Sequence, residues 1–211
     1  PDWDARASFA VLADYGIAIA ATGVADDLDD VLAVADTVGY PVVLKTSAAD
    51  HKSDVDGVVL GIADAMELRE AYREMADRLG PAVSVHAMAR AGVEVSVGVV
   101  RDDNFGPLIV VAAGGTMVEL LADRAVACPP VTSDDAGRML RSLRIAPLLA
   151  GWRGAPPVDT DALADVIAGF SQLAIELGDV IDAVEANPVI VSPAGAIAVD
   201  ALVIPRDQNI E

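Results

Sequence analysis

Two lysines, Lys45 and Lys52, stand seven positions apart in a chain whose other twelve fixed positive charges are all arginines. A lysine ammonium is a compact point charge and suits a nucleotide phosphate, whereas the planar arginine fork suits paired oxygens. Lys45 closes the apolar run PVVL at 41–44, which would hold it at the end of a sheet. The plainer alternative is a strand-end lysine reaching into solvent. His51 lies beside Lys52 in the polar segment DHKSD, so it reads as a group that contacts phosphate or titrates near neutrality. The other histidine, His86, lies in a strand-like run and reads as a packing residue. With two histidines and one cysteine, Cys128, neither a three-histidine nor a cysteine-rich zinc site can form.

A second candidate site comes from a predicted hairpin. Apolar runs at 188–191 and 196–203 flank the turn-forming quartet Ser192-Pro193-Ala194-Gly195. A turn centred between Pro193 and Ala194 makes Asn187 and Asp200 direct cross-strand partners, with Cβ atoms about 4.5–5.5 Å apart. Glu185, two residues before Asn187, shares its face on an extended strand. Three oxygen-bearing side chains on one patch suit Mg²⁺, which takes a few protein oxygens and completes its octahedron with water and substrate phosphate. The alternative is that Asn187-Pro188 is a turn signal and Asp200 an exposed strand residue. Gly114-Gly115, after the strand-like LIVVAA, is either a backbone nest for phosphate or a turn. No G-x-S-x-G, Walker P-loop or G-x-G-x-x-G occurs, which removes the serine-hydrolase and dinucleotide-fold readings.

The elements that must position these residues are legible in the periodicity. The chain has 211 residues, 54% of them apolar but only 4% aromatic, so small aliphatic side chains build the core. Leu28, Val31, Leu32, Ala35 and Val38 share one helical face, stopped at Gly39. Asp64 with Glu67 opens a second helix whose stripe is Leu68, Tyr72, Met75 and Leu79. Residues 82–88, 94–100 and 108–112 read as strands, and Asp159 to Gly178 as the longest helix. GWRGAPP at 151–157 is the best candidate for an internal linker. Helices and strands interleave without strict alternation, which favours α+β.

The net charge of −19 repels phosphate backbones and anionic membranes, so general nucleic-acid binding is excluded as a default. No run reaches the ~18 apolar residues of a membrane helix, and a single cysteine fits a reducing cytosol, so a cytoplasmic location is expected. The chain begins with Pro1, which fits a processed chain or a piece of something longer.

Taken together, YPVVLK at 40–45, HKSDVDGV at 51–58, GVEVSVGVVRDDNFGP at 92–107, GGTMVELLAD at 114–123, GWRG at 151–154, EANPVIV at 185–191 and AVDALV at 198–203 cover nearly the whole chain. The combination resembles the ATP-grasp domain of the nucleoside-diphosphate-forming acyl-CoA synthetases. HKSD followed at long range by NPVIV is its most specific pairing. The resemblance implies an ATP-grasp fold of two α+β lobes, residues 1–88 and 89–211, with the nucleotide held between them. It makes Lys45 the phosphate-contacting lysine, His86, Ala87 and Met88 the hinge that reads adenine, and Glu94 the ribose-contacting carboxylate. Gly114 and Gly115 would join the nucleotide site, and Asn187, Asp200 and Glu185 would hold Mg²⁺. His51 would relay a phosphoryl group between ATP or ADP and a phosphohistidine on another domain.

The expected activity is that of an ADP-forming acyl-CoA synthetase, converting a carboxylic acid, CoA and ATP to acyl-CoA, ADP and phosphate. The expected partner is a CoA-binding domain or alpha-type subunit, because the acyl-forming histidine is not in this chain. Three positions depart from the family pattern. Asp56 stands where glycine is usual, His86 where the hinge has Gln or Glu, and Glu185 where the metal strand has Asp. The rival readings are a non-catalytic nucleotide-sensing module and a ligase that delivers an acyl phosphate to an amine.

Overall fold

A computed structural model describes residues 5–47, 56–115 and 117–206. His51 and Lys52 therefore lie outside the described residues. The chain forms two compact units, Ala20–Ala89 and a larger one made of Pro1–Ile19 with Arg90–Glu211.

The smaller unit is a four-stranded antiparallel sheet in the order β1 (Thr22–Ala25), β4 (Val83–Ala87), β2 (Val42–Thr46), β3 (Val58–Ile62). Helices α2 (Leu28–Val38) and α3 (Ala65–Leu79) supply the rest of its core. Both helices form where capping chemistry and an apolar stripe coincide. Asp27 accepts from the Asp30 N–H and Asp64 from the N–H groups of Met66 and Glu67, satisfying donors that the first turn leaves without partners. The Glu67 carboxylate reaches back to the Ala63 N–H at 2.8 Å. The alternation of β2 and β4 then sorts the side chains. Val42, Leu44, Val83 and Val85 enter the core with Val31, Leu68 and Met75, leaving Val43, Lys45, Ser84 and His86 on the other face.

The larger unit carries a sheet in the order β10 (Ala201–Pro205), β8 (Ile181–Ser192), β5 (Val93–Asp102), β6 (Gly106–Ala113), β7 (Arg124–Ala127), with β9 (Gly195–Ala198) also paired to β8. Its core face is covered chiefly by α7 (Thr160–Leu177), capped by Asp159, whose carboxylate accepts from the Ala162 N–H. Leu163, Ile167, Phe170 and Leu173 recur at helical spacing and are each 0% exposed. Their burial contributes about 1.5–3 kcal/mol apiece. Between the short helices α4 (Met117–Leu121) and α6 (Ala146–Leu149) in sequence, helix α5 (Ser133–Ser142), bounded by a reciprocal Thr132–Asp135 capping box, packs beside α7.

Two features differ from the sequence reading. Residues 1–19 do not group with residues 20–88. Helix α1 (Ala5–Asp14) buries Phe9 and Leu12 in the core of the larger unit, and Ile19 bridges Ala198. The Tyr15 hydroxyl donates to Glu176 of α7 at 3.0 Å. Nor is GWRGAPP a linker between units. It is a loop inside the larger one, where the Val158 N–H donates to the Leu149 carbonyl at 3.0 Å. Gly151, Arg153 and Gly154 in that loop have φ of 93°, 50° and 92°, so its glycines serve turn geometry.

Candidate functional site

In the smaller unit the sheet register brings two candidates, Lys45 and His86, into one patch with Ser84. Lys45 on β2 is paired with Ser84 on β4, and Val43 with His86, so Lys45, Ser84 and His86 lie on the same face. Lys45 is 6% exposed and His86 2%, so the strand-end lysine does not reach into solvent. The His86 Nε2 lies 2.8 Å from the Ser84 Oγ. Residues 87 and 88 are tied down through their amides. The Ala87 N–H donates to the Ala21 carbonyl at 2.8 Å and the Met88 N–H to the Pro41 carbonyl at 3.1 Å. The N–H groups of Ala87 and Met88 are thus both engaged, so these two residues offer a ligand no free backbone donor. Asp56 has φ 50°, the left-handed region that glycine fills without cost, and its carbonyl accepts from Arg78 at 2.9 Å.

In the larger unit the hairpin runs in the expected register. Val189 pairs with Ala198, Ile190 with Ile197 and Ser192 with Gly195. Beyond a break in the second strand the same register resumes, with Ala201 opposite Ala186 and Leu202 opposite Glu185. The Val199 N–H donates to the Pro188 carbonyl at 3.1 Å, so Asn187 and Asp200 occupy the position between two matched pairs. The Asp200 Oδ1 accepts from the Ala201 N–H at 3.1 Å. On its other side β8 faces β5 through an irregularity. Val95 is opposite Val189 but Val97 is opposite Ala186, so Asn187 and Pro188 together oppose Ser96. A bulge of this kind re-aims a side chain, and here the residue concerned is Asn187.

Glu94 and the glycine pair meet at the same end of β5. The Gly114 N–H donates to the Glu94 carbonyl at 2.9 Å, and the Gly115 N–H donates to the Asn187 Oδ1, also at 2.9 Å. Gly115 has φ 56°, and a Cβ on it would fall 1.8 Å from Glu94 Oε2. The Gly114-Gly115 turn is therefore built for close approach to both Glu94 and Asn187. Glu185 accepts from the Ser96 Oγ at 2.7 Å. Gly98 lies opposite Glu185, where an added Cβ would come 2.7 Å from the Val184 carbonyl oxygen.

The larger unit thus brings together Glu94, Gly114, Gly115 and Asn187, with Asp200 across the hairpin and Glu185 one strand alternation away. Hard carboxylate and amide oxygens suit a hard divalent cation, and the orientation of the Asn187 amide fits that use. Its Oδ1, the only atom of the amide that can bind a cation, is picked out by the Gly115 N–H and keeps a second lone pair. Ser96 was not among the sequence-derived candidates. The available signal was a lone hydroxyl in the run VEVSVGVV, at a position where an unpaired buried polar group would cost stability.

The two α+β units with these residues define an ATP-grasp domain, and the chain matches the family model of that description over residues 3–204. The chain belongs to the ATP-grasp family, on the branch of the ADP-forming acyl-CoA synthetases. It is 37% identical over 206 residues to the beta subunit of acetate–CoA ligase [ADP-forming] I of Pyrococcus furiosus, which covers 92% of this chain and 88% of that subunit. Acetate–CoA ligase [ADP-forming] I of Archaeoglobus fulgidus is 36% identical over 200 residues, 90% of this chain but only 29% of that protein. Acetyl-coenzyme A synthetase 1 of Ca. Korarchaeum cryptofilum, solved with coenzyme A and Ca-AMPCP, has a TM-score of 0.87 at 32% identity, over 94% of this chain and 91% of that chain. Another structure of that protein holds coenzyme A and Mg-AMPPCP, with a phosphohistidine segment pointing towards the nucleotide-binding site. Its TM-score is 0.83 at 32% identity, over 95% of this chain and 91% of that chain. Among the described residues, no helix is long and apolar enough to cross a membrane.

Proposed function

We propose that this chain is the ATP-binding module of an ADP-forming acyl-CoA synthetase, working with a CoA-binding domain or alpha-type subunit that carries the acyl-forming histidine. The observation that carries the reading is the meeting of Asn187 with Gly115 and Glu94 at one end of β5, with Asp200 at the facing hairpin position. The relatives' names support it. One is a separate beta subunit, and the other is a single chain of which this sequence matches 29%.

On this reading Lys45 offsets the charge of the nucleotide phosphates and Glu94 accepts from the ribose hydroxyls. The hinge at His86, Ala87 and Met88 meets adenine through its carbonyls. Gly114 and Gly115 shape the turn against which the nucleotide rests. Asn187, Asp200 and Glu185 hold Mg²⁺, which supplies positive charge at the phosphates as charge shifts during transfer. A site within a chain of net charge −19 needs that local reversal of potential.

His51 is the proposed phosphoryl carrier. Its neutral imidazole attacks the γ-phosphorus, an N–P bond forms as the bond to the ADP oxygen breaks, and the ring then passes the group to the partner's histidine. Lys52 beside it offsets the added charge. We place the protein in the cytoplasm, consistent with one exposed cysteine, Cys128.

The test uses the full-length protein incubated with ATP and Mg²⁺. Acid-labile phosphate on His51, found by mass spectrometry, together with loss of acyl-CoA formation in His51→Ala, is the expected result. Acyl-CoA formation that survives His51→Ala overturns the relay, and nucleotide binding without phosphorylation points instead to a sensing module.

A further inference from the structure

We propose that Ser96 is a positioning residue that sets the Glu185 carboxylate for its cation, an inference that rests on the metal assignment above. Ser96 is 8% exposed on a strand whose neighbouring positions Val95, Val97 and Val99 are core valines. Its face of the sheet offers few partners. Ala112 on β6 stands directly opposite and has no polar group. On the β8 side Ser96 meets the irregularity at Asn187 and Pro188, where the Asn187 Oδ1 already accepts from Gly115. The Ser96 hydroxyl instead donates to Glu185 Oε1 at 2.7 Å, the length of a charge-assisted O–H···O bond.

The geometry around the pair is arranged for this diagonal contact. Glu185 is registered with Gly98, two residues along β5 from Ser96 and on the same face. The missing side chain at Gly98 leaves room beside Glu185, whose Cβ lies 3.5 Å from where a Cβ on Gly98 would stand. The carboxylate leans towards Ser96, which occupies one lone pair of Oε1 and leaves the rest of the carboxylate for an ion. Asn187 is treated alike by the Gly115 N–H. Each of two adjacent metal-ligand candidates on β8 is thus held by a single donor from a neighbouring element, the arrangement by which outer groups orient ligands before an ion arrives.

The experiment measures ATP binding to the full-length protein by calorimetry across a Mg²⁺ series. Ser96→Ala is expected to raise the Mg²⁺ concentration at half-maximal binding by about 10-fold or more, with ATP affinity recovered at saturating Mg²⁺. Ser96→Thr, which keeps the hydroxyl, restores the wild-type dependence. In a Glu185→Gln background, Ser96→Ala adds much less than it does alone. Should Ser96→Ala lose its fold, Ser96→Cys, with its weak donor, replaces it and the same direction of shift is expected.

An unchanged Mg²⁺ dependence in Ser96→Ala overturns the inference while leaving the metal site standing. So does a loss of ATP affinity that saturating Mg²⁺ does not recover, since that marks a merely structural role. Wild-type binding that is indifferent to Mg²⁺ removes the metal assignment and this inference together.

Discussion

The backbone N–H of Gly115 donates to the side-chain oxygen of Asn187 at 2.9 Å, across 72 residues of sequence. The same glycine leaves no space for a Cβ, which would fall 1.8 Å from Glu94 Oε2. Gly115→Ala therefore has two effects. An alanine at φ 56° costs on the order of 1–2 kcal/mol, and Glu94 must swing aside. The expected outcome is lower thermal stability and weaker ATP binding, read by calorimetry against Gly106→Ala. Gly106 also has a positive φ, of 73°, but nothing lies within 4 Å of its Cβ position. Equal loss of affinity in both variants would remove Gly115 from the nucleotide site.

Asn187 and Asp200 should behave as one unit, because they occupy facing positions and are assigned one ion. Alanine at either position weakens Mg-nucleotide binding, and the double variant loses less than the sum of the two. Strict additivity in the double-mutant cycle would separate them.

Lys45 is buried at 6% exposure in the sheet of the smaller unit, opposite Ser84. On the proposed assignment to the nucleotide phosphates, replacing it with alanine lowers ATP affinity about 10- to 100-fold. Adenosine, which has no phosphate, binds Lys45→Ala and the wild type alike. An unaltered ATP affinity would return Lys45 to a structural role.

A pH dependence follows from the cap of α5. The Thr132 hydroxyl, then the Thr132 N–H, hold the Asp135 carboxyl below its usual range; burial opposes them, and the nearby Arg138 adds a lesser lowering. A carboxylate depressed in the folded state contributes stability that is fully present above its unfolded pKa of about 3.9. That contribution is lost as pH falls through the folded value. Thr132→Ala should lower Tm by about 2–4 °C at neutral pH, and the gap to wild type should narrow below about pH 4. A gap that is constant from pH 7 to pH 2 would contradict the coupling.

The hairpin register was readable because a two-residue loop fixes which residues oppose one another, and the break in the second strand leaves the register against the continuous β8 unchanged. Asn187 and Asp200 therefore stay level although regular pairing stops between Ala198 and Ala201. Capped helices were readable for a similar reason. Asp27, Asp64 and Asp159 act within three residues of themselves, so the signal is local. What escaped depends on distant contacts. The place of α1 is decided by Phe9 and Leu12 meeting a core assembled mainly from residues after Arg90, which no window of sequence contains. GWRGAPP looked like a linker because glycine and proline mark turns whether a turn lies inside a unit or between two. Ser96 escaped because a serine in a strand announces neither its partner nor its burial.

The smaller unit begins and ends side by side, since Thr22 pairs with His86 and the Ala87 N–H meets the Ala21 carbonyl. The larger unit is discontinuous in sequence, interrupted between Ile19 and Arg90. Residues 20–89 are therefore a cassette, a segment that could be lifted out or exchanged without changing the order of any strand in the six-stranded sheet. Adjacent ends are also the geometry most tolerant of grafting and circular permutation. Lys45 and His86 on the cassette are thereby free to diversify apart from Asn187 and Asp200 on the hairpin, and chimaeras joined at positions 19 and 90 would be the natural units of exchange.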